Sequence, residues 1–160
     1  VGRATKWRME GLGMTVISHD PYADGATHSL PDLLAESDVV SMHAPVTDET
    51  AGMMGTEQFA AMRDGAVYLN TARAALHDID ALVGALRSGK LGGAGLDHVD
   101  GEVLPEGHPL IGMTNVVLTP HIGGATYNTE AAQTTMVADD FERILRGERP
   151  DHAANPDLWS

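Results

Sequence analysis

Short, nearly continuous apolar runs alternate with helix-forming segments along this chain, and this alternation constrains the fold more than any other feature. The predicted strands are MTVIS (14–18), DVVSMHAP (38–45), GAVYLNTA (65–72), LGGAGLD (91–97) and TNVVLTP (114–120). Buried strands separated by helices are typical of a parallel sheet that is covered on both faces. The sequence therefore predicts a doubly wound α/β domain.

The segments between these strands carry helical patterns. The predicted helices are RATKWRMEGL (3–12), which ends at Gly13, SLPDLLAES (29–37) with Pro31 in its first turn, TEQFAAMR (56–63) and HDIDALVGALRSGK (77–90). A long amphipathic helix ending at Gly147 is predicted last, because apolar and small residues recur at steps of three and four: Tyr127, Ala131, Thr134, Ala138, Phe141 and Leu145.

Charge and composition exclude several classes of function. A formal net charge of −13 leaves no basic stripe for nucleic acid or anionic membranes. The chain has no cysteine, so disulfides and thiolate metal sites are excluded. No apolar stretch approaches the roughly 20 residues that a membrane span needs. We expect a cytoplasmic protein that binds neither nucleic acid nor membrane.

The carboxyl ends of the strands are the places to look for a ligand site, because doubly wound sheets bind ligands there. The residues at these ends are Asp20, 43–45, 70–73, Asp97 and His121. Asp20 follows Gly2 by 18 residues, close to the spacing at which an acidic residue meets the ribose of NAD. Gly2 would then be the last glycine of G-x-G-x-x-G. The alternative is that Asp20 only forms a turn.

Three further residues suggest chemistry. Arg73 can hold a carboxylate by two parallel N–H bonds, or it is an ordinary surface arginine. Glu102 can orient His121 as an acid/base, or the two never meet. Apart from His43 at a strand end, the other histidines are predicted to be surface or turn residues without metal-ligand spacing, so no metal is expected: His19, His28, His77, His98, His108 and His152.

Four stretches together resemble the NAD-binding domain of the D-isomer-specific 2-hydroxyacid dehydrogenases, which include phosphoglycerate dehydrogenase, glyoxylate/hydroxypyruvate reductase and D-lactate dehydrogenase. They are GMTVISHDPY, LLAESDVVSMHAPVTDETAGMMG, MRDGAVYLNTARAALHDIDALVGALRSGKLGGAGLD and HPLIGMTNVVLTPHIGGAT. The resemblance implies hydride transfer between NAD(H) and a D-2-hydroxy acid or 2-keto acid. NAD is expected rather than NADP, because no arginine directly follows Asp20 and a 2′-phosphate would face its carboxylate without a counter-charge.

The resemblance also implies roles for individual residues. Arg73 would bind the substrate carboxylate, and Glu102 would pair with His121, which would exchange a proton with the keto oxygen. Asp20 would bind the adenosine ribose, and Asp97 would face the nicotinamide carboxamide. The other residues expected at the cofactor are Gly2, His43, Pro45, Thr71, Ala72, Gly123 and Gly124.

The chain departs from the family pattern in three ways. Ala74 replaces the usual glycine after the arginine, and DHVDGE stands where D-V-F-x-x-E is common. The first strand and the first glycines of the phosphate-binding turn are missing, so we expect exposed strand edges and an inactive, marginally stable isolated chain. Residues 1–149 would form a partial dinucleotide-binding domain, and 150–160 a tail toward a substrate domain.

Other interpretations also remain open. We expect the full-length protein to be a homodimer, because the family is commonly dimeric through its nucleotide-binding domains. From a different class, the alternative function is an NAD(H)-binding regulatory or corepressor-like module without turnover. A third possibility is an incomplete gene product without function.

Overall fold

The computed structural model describes residues 1–159, which divide into two units, one of residues 1–121 and one that begins at Ile122. The first unit contains α1 (Gly2–Gly11), α2 (Leu30–Glu36), β1 (Val39–Met42), α3 (Thr56–Ala61), β2 (Ala66–Asn70), a 3₁₀ turn (Ala74–Leu76), α4 (Ile79–Arg87), β3 (Leu91–Leu96) and β4 (Val116–Leu118). The second contains α5 (Tyr127–Leu145) and a 3₁₀ turn (Pro156–Trp159). The predicted boundary after residue 149 stays a prediction.

The first unit is built around a parallel sheet of order β1-β2-β3-β4. Tyr68 of β2 is paired with Val40 of β1 on one side and with Ala94 of β3 on the other. Ala94 is paired in turn with Val116 of β4. Since all four strands run in one direction, their carboxyl ends lie at one edge of the sheet, as the α/β prediction requires.

Local sequence explains where the helices begin. Ser29 accepts the N–H of Asp32 at 3.3 Å and so caps α2, which carries Pro31 in its first turn. Asp78 caps α4 by accepting two N–H groups, from Asp80 at 2.9 Å and Ala81 at 3.0 Å. Both side chains satisfy N–H donors that a helix start leaves without partners.

The core lies between the sheet and the helices that connect its strands. Tyr68 is fully buried on β2, and its ring meets Phe59 of α3 edge to face at 5.1 Å. Leu34, Leu82 and Leu96 are also buried and belong to α2, α4 and β3. The predicted strands and helices of this unit are therefore confirmed, with the exception of the first strand.

The prediction of a strand at 14–18 is wrong for this structure. The segment does not form a strand. Its hydrogen bonds are loop contacts, in which the carbonyl of Ser18 accepts the N–H groups of Thr27 at 2.9 Å and His28 at 3.1 Å. An extended segment becomes a strand only when a neighbour completes its ladder. Among the described residues no strand flanks this segment, and β1 is an edge of the sheet.

The second unit confirms the long helix but not a buried face for it. Thr126 caps α5 by accepting the N–H of Thr129 at 3.1 Å, and Gly147 follows the helix with a φ of 75°. Tyr127, Phe141 and Leu145 on the predicted apolar face are exposed. Within residues 1–159, no helix combines the length and the apolar character that crossing a membrane requires.

Candidate active site

The carboxyl ends of β2 and β3 are joined by direct hydrogen bonds. The N–H of Asp97, which directly follows β3, donates to the carbonyl of Asn70 at 3.0 Å. The Asp97 carboxylate is buried and accepts the hydroxyl of Thr119 at 2.5 Å. Since Thr119 directly follows β4, three neighbouring strand ends meet around Asp97.

Glu102 and His121 lie in contact, although neither belongs to a helix or strand. His121 Nδ1 lies 3.1 Å from Glu102 Oε1 and 3.3 Å from Oε2. A carboxylate only accepts hydrogen bonds, so Nδ1 carries the proton of this contact and Nε2 is left for another partner. Both side chains are partly exposed, so a solute can reach the pair.

The same two residues have an unusual backbone conformation. Among the described residues, Glu102 (φ 64°) and His121 (φ 52°) are the non-glycine residues with positive φ. A residue with a side chain in this region costs on the order of 1–3 kcal/mol, and such residues cluster at functional sites. The strain at both members of one hydrogen-bonded pair therefore marks them as a candidate site.

His98 is a member of this cluster, and its prediction as a surface or turn residue is wrong. Its Nε2 lies 3.2 Å from Glu102 Oε1, and its ring centroid lies 4.5 Å from that of His121. Its Nδ1 accepts the N–H of Ala74 at 3.3 Å. Residues 98–102 form a loop, so the sequence held no periodic signal for this contact.

The ligand atoms of His98, Glu102 and His121 lie within 4.8 Å of one another, a spacing compatible with a shared metal ion. The hydrogen bonds oppose this. Because His98 Nδ1 accepts a backbone N–H, a neutral ring carries its proton on Nε2, the atom that would have to bind the metal. The pattern therefore favours hydrogen bonds among these three residues over metal ligation.

Arg73 lies in a loop whose backbone is held by hydrogen bonds to the Asn70 side chain. The Asn70 side-chain oxygen accepts the N–H groups of Ala72 at 3.0 Å and Arg73 at 3.2 Å, and its amide donates to the Arg73 carbonyl at 2.8 Å. Ala74 has an ordinary negative φ, so its replacement of glycine creates no backbone strain. The guanidinium is exposed and donates to the Ala72 carbonyl at 2.6 Å.

Beneath this loop, His77 completes a buried polar network. Its Nδ1 accepts the second N–H of the Asn70 amide at 2.9 Å, and the Tyr68 hydroxyl lies 3.4 Å from the same nitrogen. Burial lowers the pKa of His77 to about 4, against a smaller opposing effect of Asp78. His77 is therefore a neutral core residue, and its prediction as a surface or turn residue is wrong.

Four of the nine residues expected at the cofactor line one cleft of about 530 Å³. Its lining includes His43, Pro45, Thr71, Ala72 and Arg73. Gly2 lies against His43, since a Cβ on Gly2 would come within 3.3 Å of the His43 Cβ. Burial lowers the pKa of His43, which keeps its ring neutral near pH 7. An apolar cleft with few polar groups is typical of a cofactor site.

The remaining predicted residues lie outside this cleft lining. Asp20 is exposed and accepts the N–H of Tyr22 at 2.9 Å, which is the turn geometry considered for it from sequence. Gly123 and Gly124 belong to the second unit, in the turn before α5. Asp97 is not part of the lining either, and the cofactor contacts expected of all nine residues stay predictions.

Comparison with known proteins identifies the family. Residues 1–123 match the sequence model of the D-isomer specific 2-hydroxyacid dehydrogenase, NAD binding domain. The chain belongs to this family. It is 37% identical over 166 aligned positions to a glyoxylate reductase of Korarchaeum cryptofilum, and the alignment covers 99% of this chain and 50% of the relative. A hydroxypyruvate reductase of Blautia hydrogenotrophica is 36% identical, covering 92% of this chain and 48% of the relative.

Solved structures of the family share the fold of this chain. The NAD-complexed D-isomer specific 2-hydroxyacid dehydrogenase of Lactobacillus delbrueckii ssp. bulgaricus superposes with a TM-score of 0.88 at 31% identity, over 94% of this chain and 52% of that one. The α/β fold predicted from the strand and helix pattern is therefore confirmed. The chain spans about half the length of these family members.

Proposed function

We propose that this chain is the NAD-binding and acid/base part of a dehydrogenase that interconverts a D-2-hydroxy acid and a 2-keto acid. The observation that carries the proposal is the strained, hydrogen-bonded pair of Glu102 and His121. It lies in the unit that matches the NAD-binding domain of the family. The relatives named as glyoxylate and hydroxypyruvate reductases support small 2-keto acids as substrates.

The residues at the cleft fit a dinucleotide. The lining is mostly apolar, with His43 kept neutral and Gly2 leaving room for the His43 ring. The residues proposed to hold NAD are Gly2, Asp20, His43, Pro45, Thr71, Ala72, Asp97, Gly123 and Gly124. When bound, the nicotinamide supplies the hydride for reduction of the keto group or accepts it in the reverse direction.

His121 handles the proton of the reaction. Its Nδ1–H donates to the Glu102 carboxylate, which fixes the orientation of the ring and leaves Nε2 to face the substrate. Nε2 donates a proton to the keto oxygen during reduction and removes it from the hydroxyl during oxidation.

Arg73 binds the substrate carboxylate in this proposal. Its guanidinium is exposed and is bonded only to the neutral Ala72 carbonyl among its described hydrogen bonds. A substrate carboxylate displaces that acceptor, because a charge-assisted bidentate pair is the stronger contact. The Asn70 side chain keeps its hydrogen bonds to the backbone of the loop when the substrate binds. Only the Arg73 side chain therefore has to change conformation.

The test uses the full-length gene product and its His121→Asn variant. NADH oxidation is followed with glyoxylate, hydroxypyruvate, pyruvate and 3-phosphohydroxypyruvate. Asparagine tolerates the positive φ of position 121, so the variant is expected to fold and to bind NADH. We expect kcat to fall about 10²- to 10⁴-fold, the usual contribution of a positioned acid/base.

A matched control is His108→Asn. His108 Nδ1 accepts the N–H of Leu110 at 3.2 Å within its own loop, and the hydrogen bonds described for His108 involve neither Glu102 nor His121. Its kcat is expected to stay at the wild-type level. NADH binding without turnover of any of the four keto acids would contradict the proposed enzyme and would indicate a binding or regulatory protein.

A further inference from the structure

We propose that His98 is a positioning residue that joins the Arg73 loop to the Glu102–His121 pair through its two ring nitrogens. The inference rests on the proposed function and adds a residue to it. Nδ1 accepts the N–H of Ala74, the residue directly after Arg73, at 3.3 Å. Nε2 lies 3.2 Å from Glu102 Oε1.

The two contacts agree on the position of the proton. A backbone N–H can only donate, so Nδ1 of His98 is the unprotonated nitrogen in the neutral ring. Nε2 then carries the proton, 3.2 Å from the Glu102 carboxylate oxygen. One tautomer is compatible with both partners, and the side chain is only 16% exposed, so water competes weakly for either contact.

Glu102 needs such a second donor. Its side chain is 56% exposed, and a single contact with His121 would leave it free to rotate toward solvent. Oε1 instead has two imidazole nitrogens close to it, His98 Nε2 at 3.2 Å and His121 Nδ1 at 3.1 Å. The His98 ring also contacts the His121 ring at 4.5 Å between centroids, which restricts the imidazole itself.

The two contacts of His98, with Ala74 and with Glu102, form a bridge that has a consequence for substrate binding. Arg73 is proposed to hold the substrate carboxylate, and His121 to exchange the proton at the adjacent keto carbon. His98 accepts a hydrogen bond from the backbone directly after Arg73, and it lies 3.2 Å from the Glu102 carboxylate that orients His121. It therefore sets the separation of the two groups, and an error of about 1 Å in such a separation can reduce the rate of reaction about 100-fold.

The first experiment determines the tautomer without any assay of activity. The full-length protein is labelled with ¹⁵N-histidine, and the His98 ring signals are assigned by their loss in His98→Val. We expect an unprotonated Nδ1 and a protonated Nε2 in the neutral ring. A proton on Nδ1 would overturn the bridge, because that tautomer cannot accept the Ala74 N–H.

The second experiment measures kcat, KM for the preferred keto acid and the Kd for NADH in His98→Val and His98→Gln. We expect His98→Val to lower kcat about tenfold and to raise KM severalfold, with the Kd for NADH unchanged. Glutamine has an acceptor and a donor at its tip, so His98→Gln is expected to recover most of the lost kcat. His108→Val is the matched control and should behave as the wild type.

The outcomes separate this inference from the proposed function. If the wild type turns over no keto acid, the proposed function fails, while the tautomer measurement still decides whether the bridge exists. If the wild type is active and His98→Val has unchanged kcat and KM, the positioning role is wrong and the enzyme assignment stands. Equal impairment of the valine and glutamine variants, with normal melting temperatures, would also overturn the role.

Discussion

His77, the buried neutral imidazole beneath the Arg73 loop, should make the protein sensitive to acid. Its pKa is about 4 in the folded chain and 6.5 when unperturbed. Between these values the unfolded chain binds a proton that the folded chain does not, so stability is lost as the pH falls through this window. The perturbation that isolates the effect is His77→Gln, because glutamine offers Asn70 an acceptor but does not titrate.

The size of the effect follows from the two pKa values. A pH of 5 lies about 1.5 units below the pKa of the imidazole in the unfolded chain, and each unit corresponds to about 1.4 kcal/mol. Burial of neutral His77 therefore lowers the free energy of unfolding by about 2 kcal/mol at pH 5. At pH 7.5 the cost is close to zero, because both states are neutral. For a domain of this size, about 2 kcal/mol corresponds to roughly 4–8 °C in Tm.

The assay is thermal unfolding of the full-length protein at pH 7.5 and pH 5. Wild type is expected to lose about 4–8 °C more than His77→Gln over this interval, while His108→Gln keeps the wild-type difference. Carboxylates contribute equally to all three proteins and cancel in the comparison. Parallel losses in wild type and His77→Gln, or a His77 ring that titrates near 6.5 by NMR, would refute the reasoning.

Substitutions at three further positions test the fold through the same melting experiment. Gly92→Ala should destabilise by about 1–3 kcal/mol, because its Cβ would lie 2.4 Å from the Gly65 carbonyl oxygen, whereas Gly84→Ala in α4 meets no atom within 4 Å and should stabilise by about 0.5–1 kcal/mol. Shifts of the same sign in this pair would contradict the packing described here. Asp78→Ala should lower stability by about 1 kcal/mol through loss of the α4 cap, and Asp78→Ser should restore most of it.

Much of the fold could be predicted from the sequence, because its signals are local. The apolar run AVYLN and the helical pattern of residues 77–90 report on their own neighbours, and the structure places β2 and α4 where they indicate. The segment 14–18 has an equally apolar pattern, but a strand also requires a neighbour, and pairing is not a local property. Whether the apolar face of α5 is buried likewise depends on what packs against it, and the periodicity of the helix carries no information about that.

The candidate site divides in the same way. Motif resemblance placed Glu102 and His121 together, and the structure shows their hydrogen bond. It missed His98 and His77, since a single histidine has no periodic signal and its environment is set by chain segments up to 24 residues away. The homodimer and the cytoplasmic location stay predictions from the sequence.

The positive φ values at Glu102 and His121 have a consequence for protein engineering. Glycine or asparagine at either position would relieve backbone strain, so a screen that selects only for heat resistance should enrich such replacements. Each enriched variant would lose half of the proposed proton-transfer pair. A thermostable version of this protein therefore has to be selected with turnover in the same screen, or with these two codons held fixed.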